Sequence, residues 1–355
     1  DEYQLTVSSE PATTTFKRYK WTSSNPEVAT VDEKTGLVTG ISKGDAIIIV
    51  TADDFSSNPV SASCEIGVKI VTPITGMTFT EDAELNQLGY GQEYQVKYTL
   101  EPVDATASLL TWTSDNPEVI SVDKTGKLKV HTTKAASAVI TASYGPVVQN
   151  VTVTVADGRF WYSLGNGLGN GLDNNWYLDG NNASVVSSDG NKTTVQMGSG
   201  YRGDLWLARS GKGKIVNVTP ADYRYFAIKV GFKSQLVPGK NKPNGCIKLE
   251  IFDDGIKKIG PEYFGTGGDA NNRYEILGAS EISTTEPNVL YYDLQSKYKT
   301  VTPTDWNQVF DLVQCKFVIA DFPETAQTYD LYWIRSFKSI EELQAFVDSE
   351  NNTNE

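Results

Sequence analysis

The strongest constraint on this 355-residue chain is an internal duplication. Residues 2–37 read EYQLTVSSEPATTTFKRYKWTSSNPEVATVDEKTGL, and residues 93–128 read EYQVKYTLEPVDATASLLTWTSDNPEVISVDKTGKL. Glu2 aligns with Glu93, Pro11 with Pro102, Trp21 with Trp112, Asn25 with Asn116, Pro26 with Pro117 and Val31 with Val122, always 91 positions apart. A one-residue gap near Lys34 then realigns Thr35-Gly36 with Thr125-Gly126. A period this long is a duplicated domain, since solenoid repeats run to about 20–50 residues. Inside each copy, alternating runs such as AIIIVTA and AVITASY are punctuated by Asn-Pro and Lys-Thr-Gly turn signals. That is the grammar of a small β-sandwich, with Trp21 and Trp112 reading as core between its sheets.

The pattern TWTSxNPEVxxVDxxTGxL followed by an Ala-Ile-Thr-Ala-type strand resembles the bacterial immunoglobulin-like group 2 domain. The resemblance covers about residues 1–155 as two tandem copies and implies domains over 1–72 and 73–156. Before the second copy, ITGMTFTEDAELNQLGYGQ (74–92) is expected to supply a first strand and the turn after it. The first copy has no counterpart, so its first strand is expected upstream of Asp1 or disordered. Short joints are expected at VTPIT (71–75) and at ADGR (156–159), where the Val-Thr alternation stops.

From Asp157 the composition changes, and five of the seven tryptophans follow. YFAIKVGF, CIKLEIFDD, VLYYDL, CKFVIADF and YDLYWIRSF read as long strands, so a larger jelly-roll-like sandwich is expected over 157–348. Strand alternation would put Tyr329, Leu331 and Trp333 on one face, as core, and Asp330, Tyr332 and Ile334 on the other. Ser339 reads as the N-cap of a short helix with Ile340, Leu343 and Phe346 on one face, and 349–355 as a disordered tail. The fold class is therefore all-β, with a short C-terminal helix.

Aromatic residues concentrate in WYSLGNGLGNGLDNNWYLDGNN and MGSGYRGDLWLAR, among Gly, Asn and Asp. A pyranose offers an apolar C–H face for a ring and a hydroxyl rim for amides and charges, so this stretch suits a sugar. Trp176 and Tyr177, on an expected loop, head the candidate ligand-binding set together with Tyr201 and Trp206. Arg202 and Asp204 would bracket hydroxyls, or form only a solvated ion pair. Trp306, at the start of an expected helical turn, and Trp161 complete the set.

Charge and chemistry narrow the function. At −13 with a pI near 4.7, the chain suits neither nucleic acid nor an anionic membrane surface. No apolar run of about 18 residues is present to span a bilayer, and no signal peptide opens the sequence. Cys64, Cys246 and Cys315 are too few for a disulfide framework or zinc site; buried free thiols are favoured, with a Cys246–Cys315 bridge left open. The acidic and amide clusters at Asp173–Asn182 and Gly268–Asn272 read as ordinary turns, with structural calcium as the alternative. The single histidine, His131, falls on an apparently exposed strand of the second copy, and no nucleophile elbow, zinc signature or phosphate loop appears, so no catalytic residue or cofactor is expected.

The closing segment KFVIADF…YDLYWIRSFKSIEEL resembles the end of galactose-binding-like carbohydrate-binding modules, although Tyr332 stands where many carry Asp. The whole arrangement resembles the surface glycan-binding proteins of Bacteroidetes polysaccharide-utilisation loci. That resemblance implies a lipid-anchored, monomeric outer-membrane protein facing outward, with immunoglobulin-like spacers and a C-terminal glycan-binding domain. An outer-membrane glycan transporter is an implied neighbour. The sparse Lys and Arg favour a neutral glucan as ligand. An adhesin for a protein ligand and a glycoside-active enzyme are the alternatives.

Overall fold

The computed structural model describes residues 1–10, 18–53, 58–169, 176–178, 183–197, 202–208, 216–235, 247–253, 274–295, 307, 309–320 and 327–352. Two compact units emerge, Asp1–Gly76 with Leu100–Ala107, and Met77–Thr99 with Ser108–Glu355. The fold is all-β with a C-terminal helix.

In the first unit the strands are β1 (Glu2–Gln4), β2 (Tyr19–Ser23), β3 (Ala29–Val31), β4 (Leu37–Gly40), β5 (Gly44–Ala52) and β6 (Ser61–Val68). They form two sheets, β1-β4-β3 and β2-β5-β6, closed on Trp21, Val38, Ile48 and Val50. The second copy contributes β7 (Gly76–Phe79), β8 (Leu88–Tyr90), β9 (Glu93–Gln95), β10 (Tyr98–Glu101), β11 (Thr111–Ser114), β12 (Ile120–Val122), β13 (Lys127–Val130), β14 (Ala136–Tyr144) and β15 (Val147–Ser163). Its sheets β9-β13-β12 and β11-β14-β15 repeat the first pair strand for strand.

The shared motif has a physical role in both copies. Asp32 Oδ1 accepts from the Lys34 and Thr35 amides at 3.0 and 2.8 Å, and Asp123 Oδ1 from the Thr125 and Lys127 amides at 2.7 and 3.0 Å. The one-residue gap is a turn of different length under the same aspartate. Both turns end on a left-handed glycine, Gly36 at φ +76° and Gly126 at φ +82°. A Cβ on Gly36 would stand 2.7 Å from the Trp21 ring, and one on Gly126 2.6 Å from Trp112, so each glycine is demanded by backbone and neighbour alike. Trp21 and Trp112 are buried, as core tryptophans should be.

β15 corrects one expectation. ADGR is no loop joint: the 17-residue strand runs through it, its first half pairing β14 and its Trp161–Ser163 end pairing the strand Thr328–Phe337. β8 lies parallel to it, with Leu88 opposite Val155 and Tyr90 opposite Phe160, and Tyr90 enters the core of the third domain. The segment 74–92 thus does more than open the second sandwich.

The third domain continues with β16 (Tyr177–Leu178), β17 (Ala183–Ser188), β18 (Thr193–Met197), β19 (Arg202–Ala208), β20 (Val216–Val218), β21 (Tyr225–Phe232), β22 (Ile247–Asp253), β23 (Glu275–Ile276), β24 (Asn288–Asp293), β25 (Phe310–Ala320) and β26 (Thr328–Phe337). One sheet runs β26-β21-β24-β23, with β15 and β18 on the other edge of β26; the second joins β16, β19, β20 and β22 around β25. Phe160, Leu205, Phe226, Ile228, Phe317 and Tyr329 fill the space between them.

Alternation in β26 breaks where the ladder to β21 shifts register, between the pairs Lys229↔Trp333 and Val230↔Leu331. Tyr332 is the extra residue. Trp333 is core, but not on the face of Leu331 as alternation predicted: Tyr329, Leu331 and Ile334 enter the main core, whereas Trp333 and Phe337 face Leu343 of helix α1 (Ile340–Asn352). Ser339 caps that helix, its hydroxyl accepting from the Glu342 amide at 3.2 Å, while Glu342 accepts from the Lys338 amide at 2.7 Å. The helix runs on through Asn352, so residues 349–352 are not the disordered tail expected for them.

Candidate functional site

The candidate residues divide sharply. Trp176, expected exposed on a loop, is fully buried, its ring 5.7 Å from that of Phe317. The indole goes inward just ahead of the strand that starts at Tyr177, which the polar residues before it in sequence do not indicate. Tyr201 and Trp306 lie outside the described residues, as does the side chain of Arg202, whose backbone heads β19 opposite Ala320.

Tyr177, Asp204 and Trp206 do come together. Leu205 and Leu207 of β19 point into the core, so Asp204 and Trp206 take the other face of that sheet. Tyr177 stands directly opposite Trp206, and Trp206 opposite Lys316 of β25. Lys316 Nζ reaches Asp204 Oδ2 at 2.9 Å and sits 4.3 Å from the Trp206 ring centroid. Asp204 is largely buried rather than solvated: Lys316 and Asp204 keep only 8% and 12% of their side-chain surface exposed. Trp206, at 6% exposure, backs this face rather than projecting from it as a platform. Tyr177 is the ring left partly exposed.

Trp161 belongs to a different place. It pairs with Arg335 across β15 and β26, and the Arg159 and Arg335 guanidinium carbons stand 4.7 and 4.4 Å from its ring centroid. Arg159 is engaged by Glu84 at 3.0 Å and by the Gln87 carbonyl. Among the described residues Arg335 has no hydrogen-bond acceptor for its buried Nε, and burial pulls its guanidinium down to about 10, against the pull of Glu350 and with the repulsion of Arg159. Beside it opens a cavity of about 440 Å³ whose described lining includes Glu93, Lys127 and Lys129 from the second sandwich, and Trp161, Asn166 and Arg335. Gly91, at φ +77°, makes this junction close: a Cβ there would fall 2.1 Å from the Tyr162 ring.

A larger cavity of about 670 Å³ runs along Phe79, Asp82 and Asn150. Its Asp82 is already committed: hydrogen bonds from Lys97, Tyr94 and the Glu84 amide hold its carboxyl far below the usual range.

The remaining sequence expectations fall out as follows. His131 is half-buried rather than exposed, with Ser121 Oγ 2.7 Å from its Nε2, and burial pushes its ring below the usual imidazole range. Cys315 is a buried free thiol, Cys64 is exposed rather than buried, and Cys246 lies outside the described residues. Of the two acidic clusters, only 176–178 is described, and among the described residues no group of three or more His, Cys, Asp or Glu could hold a metal ion. No helix among them is long and apolar enough to cross a membrane.

Sequence reasoning missed Arg335, Lys316 and Lys129. The available signal was a lone cation inside an otherwise apolar strand, as in YWIRSF and CKFVIA.

Two family models match parts of the chain. Residues 1–61 match the bacterial Ig-like domain (group 2). Residues 167–343 match a domain of unknown function, DUF4979. An uncharacterized protein of Clostridium acetobutylicum is 28% identical over 139 residues, 39% of this chain and 13% of its own length, so the chain spans about an eighth of that relative. Among solved structures, domains 4 and 5 of the S-layer protein SbsC match at 24% identity over 43% of this chain and 80% of theirs, with a TM-score of 0.19. A structure reported for carbohydrate-binding modules of the β-sandwich superfamily matches at 12% identity over 91% of this chain and 99% of its own, with a TM-score of 0.25.

Proposed function

We propose that this chain is a non-catalytic carbohydrate-binding protein whose third domain captures polysaccharide while the immunoglobulin-like copies act as spacers. The carrying observation is the sheet face on which Tyr177 stands opposite Trp206 with the Asp204–Lys316 pair beside the indole. A partly exposed tyrosine can meet the C–H face of a sugar, and the closed Asp204–Lys316 pair fixes the sheet face on which that ring stands. The engagement of Asp204 by Lys316 favours holding a ligand over transferring a proton to it. The proposed setting is the outer surface of a Bacteroidetes cell, on a lipid anchor beside a glycan transporter, with a neutral glucan as ligand and the chain acting as a monomer without cofactor.

The test is affinity electrophoresis of the whole chain in gels containing neutral or acidic polysaccharides. Truncation at residue 157 is unsuitable because Tyr90 belongs to the core of the third domain. One polymer is expected to retard the protein, with at least a several-fold loss in Tyr177→Ala at unchanged melting temperature. No retardation by any polymer refutes the proposal, and release of reducing ends from a bound polymer refutes its non-catalytic part.

A further inference from the structure

The 440 Å³ cavity at the second sandwich differs in charge from the rest of this acidic protein, placing Lys127, Lys129 and Arg335 against the single acid Glu93 in its described lining. Glu93 is already paired with Lys127, whereas Lys129 has no acidic partner among the described residues. Arg335 is the unusual group. Its guanidinium carbon stands 4.4, 5.3 and 4.2 Å from the ring centroids of Trp161, Trp333 and Phe346, yet its buried Nε finds no hydrogen-bond acceptor among the described residues. The nearby Glu350 accepts from Lys229 and the Trp333 indole, both at 3.1 Å, and acts on Arg335 through its charge. Rings hold a cation in place but supply no acceptor for its N–H groups, so a buried guanidinium of this kind keeps its donors available to a ligand.

We propose that this cavity binds the oxyanion group of a small ligand, a carboxylate carried on an acidic sugar, with Arg335 as principal donor and Lys129 as the second cation. A planar guanidinium matches a two-oxygen anion with paired hydrogen bonds, and Asn166 and Ser163 at the same cavity suit hydroxyls. Naming the sugar rests on the carbohydrate reading; the oxyanion site does not.

The test is calorimetric titration of the whole chain with glucuronate, sulfate, phosphate and glucose, alongside tryptophan fluorescence. Saturable binding of glucuronate is expected, weakened at least tenfold in Arg335→Gln and several-fold in Lys129→Ala, with none for glucose. Lys129 is a partly exposed strand residue whose replacement is expected to leave the melting temperature unchanged, so its effect separates a lost site from a lost structure. Sulfate or phosphate binding with the same dependence on both residues supports the oxyanion site and overturns the sugar. Absence of binding by every anion, or binding untouched by both substitutions, overturns the site. Either result is separable from the polysaccharide reading, because Tyr177→Ala is expected to leave glucuronate binding unchanged.

Discussion

Two places in the third domain set a cation against a tryptophan ring at nearly the same distance, and they end in opposite chemistry. Lys316 Nζ lies 4.3 Å from the Trp206 centroid, and Arg335 Cζ lies 4.4 Å from that of Trp161. Lys316 has Asp204 at 2.9 Å, whereas Arg335 has no acceptor for its Nε among the described residues. An ion pair closed among strand residues holds the sheet together. A cation left open beside a cavity contributes less to stability and keeps its donors for a ligand. The difference lies in the partner, because the ring contact is common to both.

The largest effect that sharpens this contrast is expected from Lys316→Ala. It removes the ammonium that engages the largely buried Asp204 carboxylate, at about 3–5 kcal/mol of unfolding free energy, read from urea denaturation. A loss below about 1 kcal/mol would erase the distinction between the two cations. A smaller loss belongs to Asp330, a third closed charge, which is 1% exposed and accepts from Lys192 at 2.8 Å and Thr194 at 2.7 Å, with Lys233 at 3.0 Å. Burial acts to raise its carboxyl, but hydrogen bonds from Lys192, Thr194 and Lys233 outweigh this and hold it below the usual range. With the folded value depressed, its contribution is complete above the unfolded value of about 4 and is lost as the pH falls below it. Asp330→Asn should cost about 1.5–3 kcal/mol at pH 7 and flatten the acid limb of the stability profile. The smallest effect is expected at Arg335→Met, which replaces an open cation by an apolar chain against Trp161, Trp333 and Phe346, within about 1 kcal/mol of the parent. A loss as large as that at Lys316 would mean that Arg335 is structural after all.

Much of the fold was legible without coordinates, and the reasons are local. The Asn-Pro turns, the aspartate that caps the Lys-Thr-Gly turn and the glycine beneath Trp21 or Trp112 act within a few residues, so each copy announces its sandwich. Helix α1 was legible through Ser339, whose capping bond to Glu342 spans three positions. The site was less so. Tyr177, Asp204 and Trp206 were named and do share a face, but Trp176, the neighbour of Tyr177, went into the core. Arg335 was passed over because nothing in YWIRSF indicates that its Nε lacks an acceptor among the described residues.

The amino-acid order by itself determined the duplication, the all-β class and the stretch of chain that carries the aromatic candidates, because these follow from period, turn chemistry and strand alternation. The tertiary structure alone decided which tryptophan faces which layer. The extra residue Tyr332 reverses the alternation within β26, and β15 carries one strand through two sandwiches. It also decided which charges are closed and which stay open, since Lys316 meets Asp204 across 112 residues of sequence while Arg335 Nε meets no acceptor among the described residues. Pairing over such separations depends on how the sheets stack, which no local signal encodes.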